Sequence, residues 1–194
     1  MKRLPVLDRL IGELRGLWSE EPEPERRMRR AKSVLERVLA DPDLIRHSRG
    51  WPFTVGQNLL LYEDPEFGFV LNATVRPAGS SGAVHDHAHA WTLYGLIDGS
   101  ERLERYERLD DGTRPGHAEL RLVSDTVLRP GMIDFVAPYE IHREHGGPGR
   151  SVALIIRSER LVGRTLQHGF DPDAQTVREM SGPTQVPYEL LVAD

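Results

Sequence analysis

Histidines are concentrated in one short segment of the chain. Residues 82–91 read GAVHDHAHAW, so that His85, His87 and His89 stand two residues apart. The chain has 8 histidines among 194 residues, so three within five positions is a local excess that favours a shared role. On a strand, alternate residues point to the same face about 7 Å apart, and two imidazoles placed in this way can converge on one metal ion.

A third ligand would have to come from a distant part of the chain, and His142 is the best candidate. It follows the segment GMIDFVAP at 131–138, in which a glycine opens a turn and a proline ends a strand. The sequence therefore predicts a metal site formed by His85, His87 and His142. His89 is assigned to substrate contact or support of the ligands, because a strand would have to curl to bring three successive imidazoles to one ion.

The elements that carry these residues follow from the apolar pattern. Apolar residues recur at spacings of three and four in residues 4–18 and again in residues 28–38, which predicts two helices within residues 1–50. The two prolines within Glu20–Glu25 separate the helices, and Asp41-Pro42 ends the second.

From Trp51 onward, short apolar segments alternate with turn signals. The candidate strands are Phe53–Tyr62, Phe67–Arg76, Trp91–Ile97, Glu101–Leu109, Ala118–Val123, Met132–Val136 and Ser151–Arg157. Strands without intervening helices indicate an antiparallel sandwich or barrel over residues 51–194. The tail from Phe170 is expected to pack over this barrel as an extended arm.

Length and composition limit the classes of protein. A chain of 194 residues, 39% hydrophobic and 28% charged, fits one globular domain of which residues 1–50 are a helical part. The net charge of −5 argues against a nucleic-acid partner, and no apolar run reaches the roughly 20 residues that span a membrane. The absence of cysteine excludes disulfides and thiolate ligands. Without an apolar N-terminal block we expect a cytoplasmic location, and the sequence leaves a homo-oligomer open.

The segment from the first histidine to Glu101 resembles the cupin superfamily, and within it the bacterial thiol dioxygenases related to cysteine dioxygenase. The residues that carry the resemblance are His85, Asp86, His87, Trp91, Tyr94, Gly95, Gly99 and Glu101. The general cupin pattern has a glutamate ligand where Trp91 stands, so the resemblance implies a neutral three-histidine site. The implied fold is mainly β, a double-stranded β-helix (cupin) barrel with N-terminal α-helices packed outside, and the resemblance covers Trp51 to about Val177.

The resemblance also implies a mononuclear non-haem Fe(II) centre that oxidises a small thiol carboxylate to a sulfinate with O2. Three neutral ligands would leave the ion dicationic, so that an anionic thiolate and O2 could be held side by side. Imidazole ligands equally suit Zn, Ni, Mn or Cu, so iron rests on the resemblance alone.

Further residues take roles from the same resemblance. Gln57 and Arg164 stand where enzymes of the 3-mercaptopropionate type carry substrate-binding residues, and a guanidinium suits a carboxylate because its fork can bond both oxygens. Arg76, Arg143 and Arg157 are the next candidates for this contact. The family has a serine, histidine and tyrosine relay on a late strand, of which the segment SVALI at 151–155 keeps only Ser151. His89 or Tyr94 would have to replace the missing groups, so the predicted catalytic residues are His89, Tyr94 and Ser151.

Two other functions stay open at this point. One is a three-histidine cupin dioxygenase that cleaves a C–C bond in a substrate of the β-dicarbonyl type. The other is a barrel that binds a metal ion or a ligand without catalysis.

Overall fold

The computed structural model of the protein describes residues 2–164 and 167–192. Its helices are α1 (Pro5–Glu20), α2 (Pro24–Leu39) and α3 (Pro42–Ser48). Its strands are β1 (Lys2–Arg3), β2 (Gln57–Glu63), β3 (Val70–Arg76), β4 (Val84–His85), β5 (Thr92–Asp98), β6 (Glu101–Arg108), β7 (Leu120–Leu128), β8 (Ile133–Val136), β9 (Ile141–Gly146), β10 (Ser151–Arg157), β11 (Gln167–Asp171), β12 (Thr176–Met180), β13 (Thr184–Pro187) and β14 (Leu191–Val192). None of these helices is long and apolar enough to cross a membrane.

The central strands form two six-stranded sheets. The first has the order β13-β2-β3-β10-β5-β8 and the second the order β12-β11-β4-β9-β6-β7. Successive strands from β3 to β10 mostly alternate between the two sheets and pair antiparallel, which is the arrangement of a double-stranded β-helix. Buried side chains of both sheets, such as Leu96 and Leu103, meet in a common core. The predicted fold class is therefore confirmed.

The helices pack against the outer face of the first sheet. The apolar stripes that predicted them are buried, and they form one cluster with side chains of β3, β5 and β10. Gly95 allows the close approach of α2, because a Cβ at this position would lie 2.8 Å from Leu39 Cδ1 and 3.1 Å from Leu35 Cδ2. Asp41 does more than end α2, since its carboxylate accepts the backbone N–H groups of Asp43 and Leu44 and so caps α3.

Two parts of the chain differ from the expected pattern. His85 is the last residue of the short strand β4, and His87 lies beyond it, so the expectation that both stand on one strand is wrong. The tail expected to be an arm contributes strands to both sheets: β11 and β12 extend the second sheet, and β13 pairs in parallel with β2 in the first.

Candidate metal centre

Three histidines meet in the interior of the barrel, two of them on neighbouring strands and one just after the first of these strands. His85 on β4 is paired across the strands with His142 on β9, and His87 follows β4 in the chain. One ring nitrogen from each of the three residues lies within 4.8 Å of the others. The ring centroids are 4.5 to 5.0 Å apart. The three predicted metal ligands are thus brought together.

Asp86 fixes the turn that brings His87 back toward the other two rings. Its Oδ1 accepts hydrogen bonds from the backbone N–H groups of Ala88 and His168, each at 3.0 Å. Its Oδ2 lies 2.8 Å from Nδ1 of His168. Ala88 has a φ of 49°, a left-handed conformation that a non-glycine residue adopts only when its surroundings hold it there. Asp86 thereby fixes the backbone around His87, which a longer β4 would otherwise have held in place.

The donor set fits a metal ion. The Nδ1–H groups of His85 and His142 donate to the carbonyl oxygens of Ala83 and Glu140, each at 3.0 Å, so both rings turn a lone pair on Nε2 inward. His87 Nε2 lies 3.2 Å from His85 Nε2 and also accepts from Nη2 of Arg157. Two nitrogen lone pairs that face each other at this distance repel unless a cation lies between them.

Burial keeps the inner imidazoles neutral, which metal coordination requires. Removal from water lowers the pKa of His142 to about 3 and also lowers the pKa of His87 well below its ordinary value. His142 Nε2 is buried and has no hydrogen-bond partner in the residues 2–164 and 167–192. A ring nitrogen of this kind is expected at a metal site and is costly anywhere else.

A carboxylate that the sequence prediction missed lies beside the histidines. Glu144 stands two residues after His142 on β9, and its Oε1 is 3.6 Å from His142 Nε2. Burial would raise the pKa of Glu144, but the charge of Arg76 and the histidines lower it to about 2. The alternation of β9 was the signal that could have found it, because residues two apart share a face.

A hydrogen-bonded network continues from Glu144 along the cavity wall. Arg76 Nη2 donates to Glu144 at 3.2 Å, and its Nε lies 3.2 Å from Glu101 Oε2. Glu101 also accepts from Tyr94 Oη at 2.8 Å and from Ser151 Oγ at 2.6 Å. Burial raises the pKa of Tyr94 well above its ordinary value, so the phenol stays protonated.

The histidines open into a cavity of about 460 Å³. Side chains from both sheets, the loop before β2 and the segment after β12 line it. Its polar lining residues include Gln57, Asn58, Thr74, Arg76, Tyr94, Glu144, Arg157 and Gln167, and its apolar ones include Phe53, Val55, Val75, Ile155 and Met180. A cavity of this size can hold a small organic molecule next to the three imidazoles.

Arg157 contacts one of the three histidines directly through its side chain. It ends β10, is 5% exposed, and its Nη2 lies 3.2 Å from His87 Nε2. Burial lowers the pKa of Arg157 to about 10, which leaves the guanidinium protonated at neutral pH. The sequence offered Arg157 only as a reserve candidate for contact with the substrate.

The remaining predicted residues are divided between the cavity and the surface. Gln57 and Tyr94 line the cavity, and Ser151 is buried beneath it as a donor to Glu101. His89 is 48% exposed and lies 3.0 Å from Glu159, outside the set of cavity-lining residues. Arg164 is 58% exposed and pairs with Glu63 at 2.9 Å in a separate surface depression. The structure therefore does not bring His89 or Arg164 together with the three histidines.

No protein-family model matches the chain, and no curated protein matches it. Three solved structures to which it is similar are the cupin domain of Schizosaccharomyces pombe Cnp3, a conserved protein with a double-stranded β-helix domain from Klebsiella pneumoniae subsp. pneumoniae, and TT1209 from Thermus thermophilus. Their identities are 10%, 17% and 14%, with TM-scores of 0.42, 0.42 and 0.43. The matches cover 53%, 57% and 58% of this chain and 60%, 80% and 92% of theirs. The chain spans 51% and 60% of the first two structures it matches.

Proposed function

We propose that the protein is a mononuclear non-haem Fe(II)-dependent dioxygenase that oxidises a small thiol carboxylate to a sulfinate. The observation that carries this proposal is the cluster of three imidazoles, two of which line a cavity that also holds a buried arginine. In the overall reaction, a thiol and O2 give a sulfinic acid, so both oxygen atoms end on sulfur. His85, His87 and His142 would hold the metal ion.

An Fe(II) ion bound there would supply the redox chemistry that lets O2 react with the sulfur. The protein contributes the position of the substrate and the exclusion of water. Ile155 and Val75 present apolar surface to the cavity. Water would find few hydrogen-bond partners on this surface, which favours its exclusion from the bound substrate. A substrate fixed beside the histidines reacts as if in an intramolecular step, and this is the largest rate advantage that positioning can give.

The buried network around Glu101 is proposed to take the place of the relay that thiol dioxygenases carry. Ile155 is paired with Tyr94 on the adjacent strand, so a tyrosine stands one strand away from the position where the family has one. Tyr94 and Ser151 are joined through the two oxygens of Glu101 at 2.8 and 2.6 Å, where the family joins its tyrosine and serine through a histidine. Tyr94 would keep its hydroxyl protonated, and the hydrogen bond to Glu101 would hold that hydroxyl in place at the cavity wall.

The proposal is tested by metal analysis of anaerobically purified protein, followed by measurement of O2 uptake by the Fe(II) form. We expect uptake with 3-mercaptopropionate, cysteine or mercaptosuccinate, with one sulfinate formed for each O2 consumed. Failure of all such thiols to stimulate O2 uptake by iron-loaded protein would refute the thiol oxidation. Uptake with a β-dicarbonyl, without sulfinate, would instead indicate C–C bond cleavage. Metal binding without O2 uptake from any substrate would indicate a non-catalytic barrel.

A further inference from the structure

Arg157 is a buried cation without an acidic partner. No Asp or Glu among the described residues forms an ion pair with it, whereas Arg76, which lines the same cavity, pairs with Glu101 and Glu144. The Nε of Arg157 has no hydrogen-bond partner within residues 2–164 and 167–192. A guanidinium removed from water without a counter-charge is costly, so its retention here calls for a ligand.

Within residues 2–164 and 167–192, the one acceptor of the Arg157 side chain is also a predicted metal ligand. Its Nη2 donates to His87 Nε2 at 3.2 Å, and this nitrogen carries the lone pair that would bind a metal ion. The lone pair cannot serve both, so metal binding would leave Arg157 with a free N–H and a second cation close by. Glu144, a carboxylate that lines the same cavity, is already engaged by Arg76. An anion that binds beside the metal ion would accept the free N–H of Arg157 and would lie between the two positive charges.

Gln167 offers a second free donor in the same cavity. It is 1% exposed, and its Nε2 is buried without a hydrogen-bond partner in the described part of the chain. Both Gln167 and Arg157 are among the residues that line the cavity. A planar carboxylate can accept from the fork of a guanidinium and still has lone pairs for an amide N–H.

We propose that Arg157, assisted by Gln167, binds the carboxylate group of the substrate and so selects acidic thiols over neutral ones. This inference rests on the proposed function, since it assigns the residue that recognises the substrate of the same site. Because Arg157 lies 3.2 Å from a metal-ligand nitrogen, the carboxylate and the reacting sulfur must be close. The substrate would therefore have only a few carbon atoms between its sulfur and its carboxylate.

The test measures binding in the absence of oxygen chemistry. Protein loaded with Zn(II) is titrated calorimetrically with 3-mercaptopropionate and with 3-mercapto-1-propanol, which has the same length but no charge. We expect the wild type to prefer the carboxylate. Arg157→Met should weaken binding of 3-mercaptopropionate about 10- to 100-fold and leave binding of the alcohol unchanged. Its zinc content should stay normal, and its melting temperature without ligand should not fall, because an unpaired buried charge is removed.

Two controls make the result specific. Arg160→Met removes a neighbouring arginine that is paired with Glu63 at the surface, and it should bind both thiols like the wild type. Arg164→Met tests the arginine predicted from the sequence. If Arg164→Met loses the preference for the carboxylate and Arg157→Met keeps it, the inference is overturned. The inference is also overturned if the wild type binds both thiols equally. This comparison uses the wild type alone, so it does not depend on the folding of a variant.

The inference and the proposed function fail in different ways. Binding of 3-mercaptopropionate that depends on Arg157, with no O2 uptake by the iron form from any of the thiols tested, supports the carboxylate site and refutes the oxidation. Equal O2 uptake with the acidic thiol and the alcohol supports the oxidation and refutes the role of Arg157. Should Arg157→Met not fold, Arg157→Gln is used in its place with the same expected loss for the carboxylate.

Discussion

Two walls of the cavity each contain an arginine, half-buried in one wall and buried in the other, and the two arginines differ in their partners. On the wall formed by β3 and β5, Arg76 contacts two carboxylates and the hydroxyl of Tyr94. At the end of β10, the side chain of Arg157 has one hydrogen-bond partner among the described residues, the imidazole of His87. The first, which we call the paired wall, satisfies the charge of Arg76 with Glu101 and Glu144 and contributes to the stability of the fold. The second, which we call the free wall, comprises Arg157, Gln167 and the three histidines. It leaves polar groups free in the described structure, and such groups suit a metal ion and a ligand.

From this contrast we expect substitutions in the free wall to change binding and substitutions in the paired wall to change the free energy of unfolding. The His142→Ala substitution acts on the free wall and is expected to have the largest effect, because it removes one of three metal ligands. We expect the metal content to fall from about one ion per chain to nearly none, while the free energy of unfolding of the metal-free protein changes little. His89→Ala, at an exposed imidazole, should keep its metal.

Metal content of both variants is measured by mass spectrometry after purification under nitrogen, and stability by urea unfolding of the chelated proteins. Stoichiometric metal in His142→Ala would exclude the three-histidine assignment. Complete loss in His89→Ala would make that residue a ligand.

Arg76→Met acts on the paired wall. It should lower the free energy of unfolding by about 3–5 kcal/mol, because it leaves the buried carboxylates of Glu101 and Glu144 without their counter-charge. Urea unfolding of the metal-free protein gives the measurement, and Arg157→Met is the matched comparison. If both variants are destabilised equally, the two walls do not differ in the way proposed here.

A third prediction concerns Glu104, a buried carboxylate outside the cavity whose charge is also satisfied by partners within the chain. Burial would raise the pKa of Glu104, but hydrogen bonds from Tyr106 and Arg143, together with the close imidazole of His145, lower it to about 2. A carboxyl group whose pKa is depressed in the native state stabilises that state above its ordinary pKa of 4.5, and the contribution is lost as the pH falls toward 2. The stability difference between wild type and Glu104→Gln should therefore be constant near neutral pH and shrink steadily below pH 4.5.

The measurement is urea unfolding of both proteins between pH 7 and pH 3. Other carboxylates titrate in the same range, so only the difference between the two proteins is informative. A difference that stays constant down to pH 3 would show that the hydrogen bonds do not favour the ionised form.

The parts of the molecule that the sequence predicted are those with a local signal. The helices follow from apolar spacing, and the histidines from residue type and proximity in the chain. Arg157 and Arg164 could not be ranked by spacing alone, because charged residues are usually exposed. The signal for Arg157 was its position at the end of β10, which is buried at every residue.

Features that depend on contacts between distant residues were missed. The link from Ser151 through Glu101 to Tyr94 joins three strands, and nothing in the spacing of these residues indicates a shared carboxylate. The strands β11 to β13 are short and lie at or near the edges of the two sheets. Because much of their surface is not covered by the core, they largely lack alternating apolar residues. Their pairing is set by the sheets that they join.

The smallest expected effect concerns Gln57, which stands at the start of β2 and lines the cavity from the side of its exposed loop. Its neutral amide can give one hydrogen bond to a substrate, worth about 0.5–1.5 kcal/mol. Gln57→Ala should therefore raise the KM for the true substrate by about 3- to 10-fold, with kcat and metal content unchanged. Gln57→Glu has nearly the same shape but repels a carboxylate, so its KM should rise further than that of the alanine variant. Steady-state O2 uptake measures both values. If Gln57→Glu binds the acidic substrate as well as the wild type, the carboxylate points away from this loop, and recognition of the acid rests on the free wall alone.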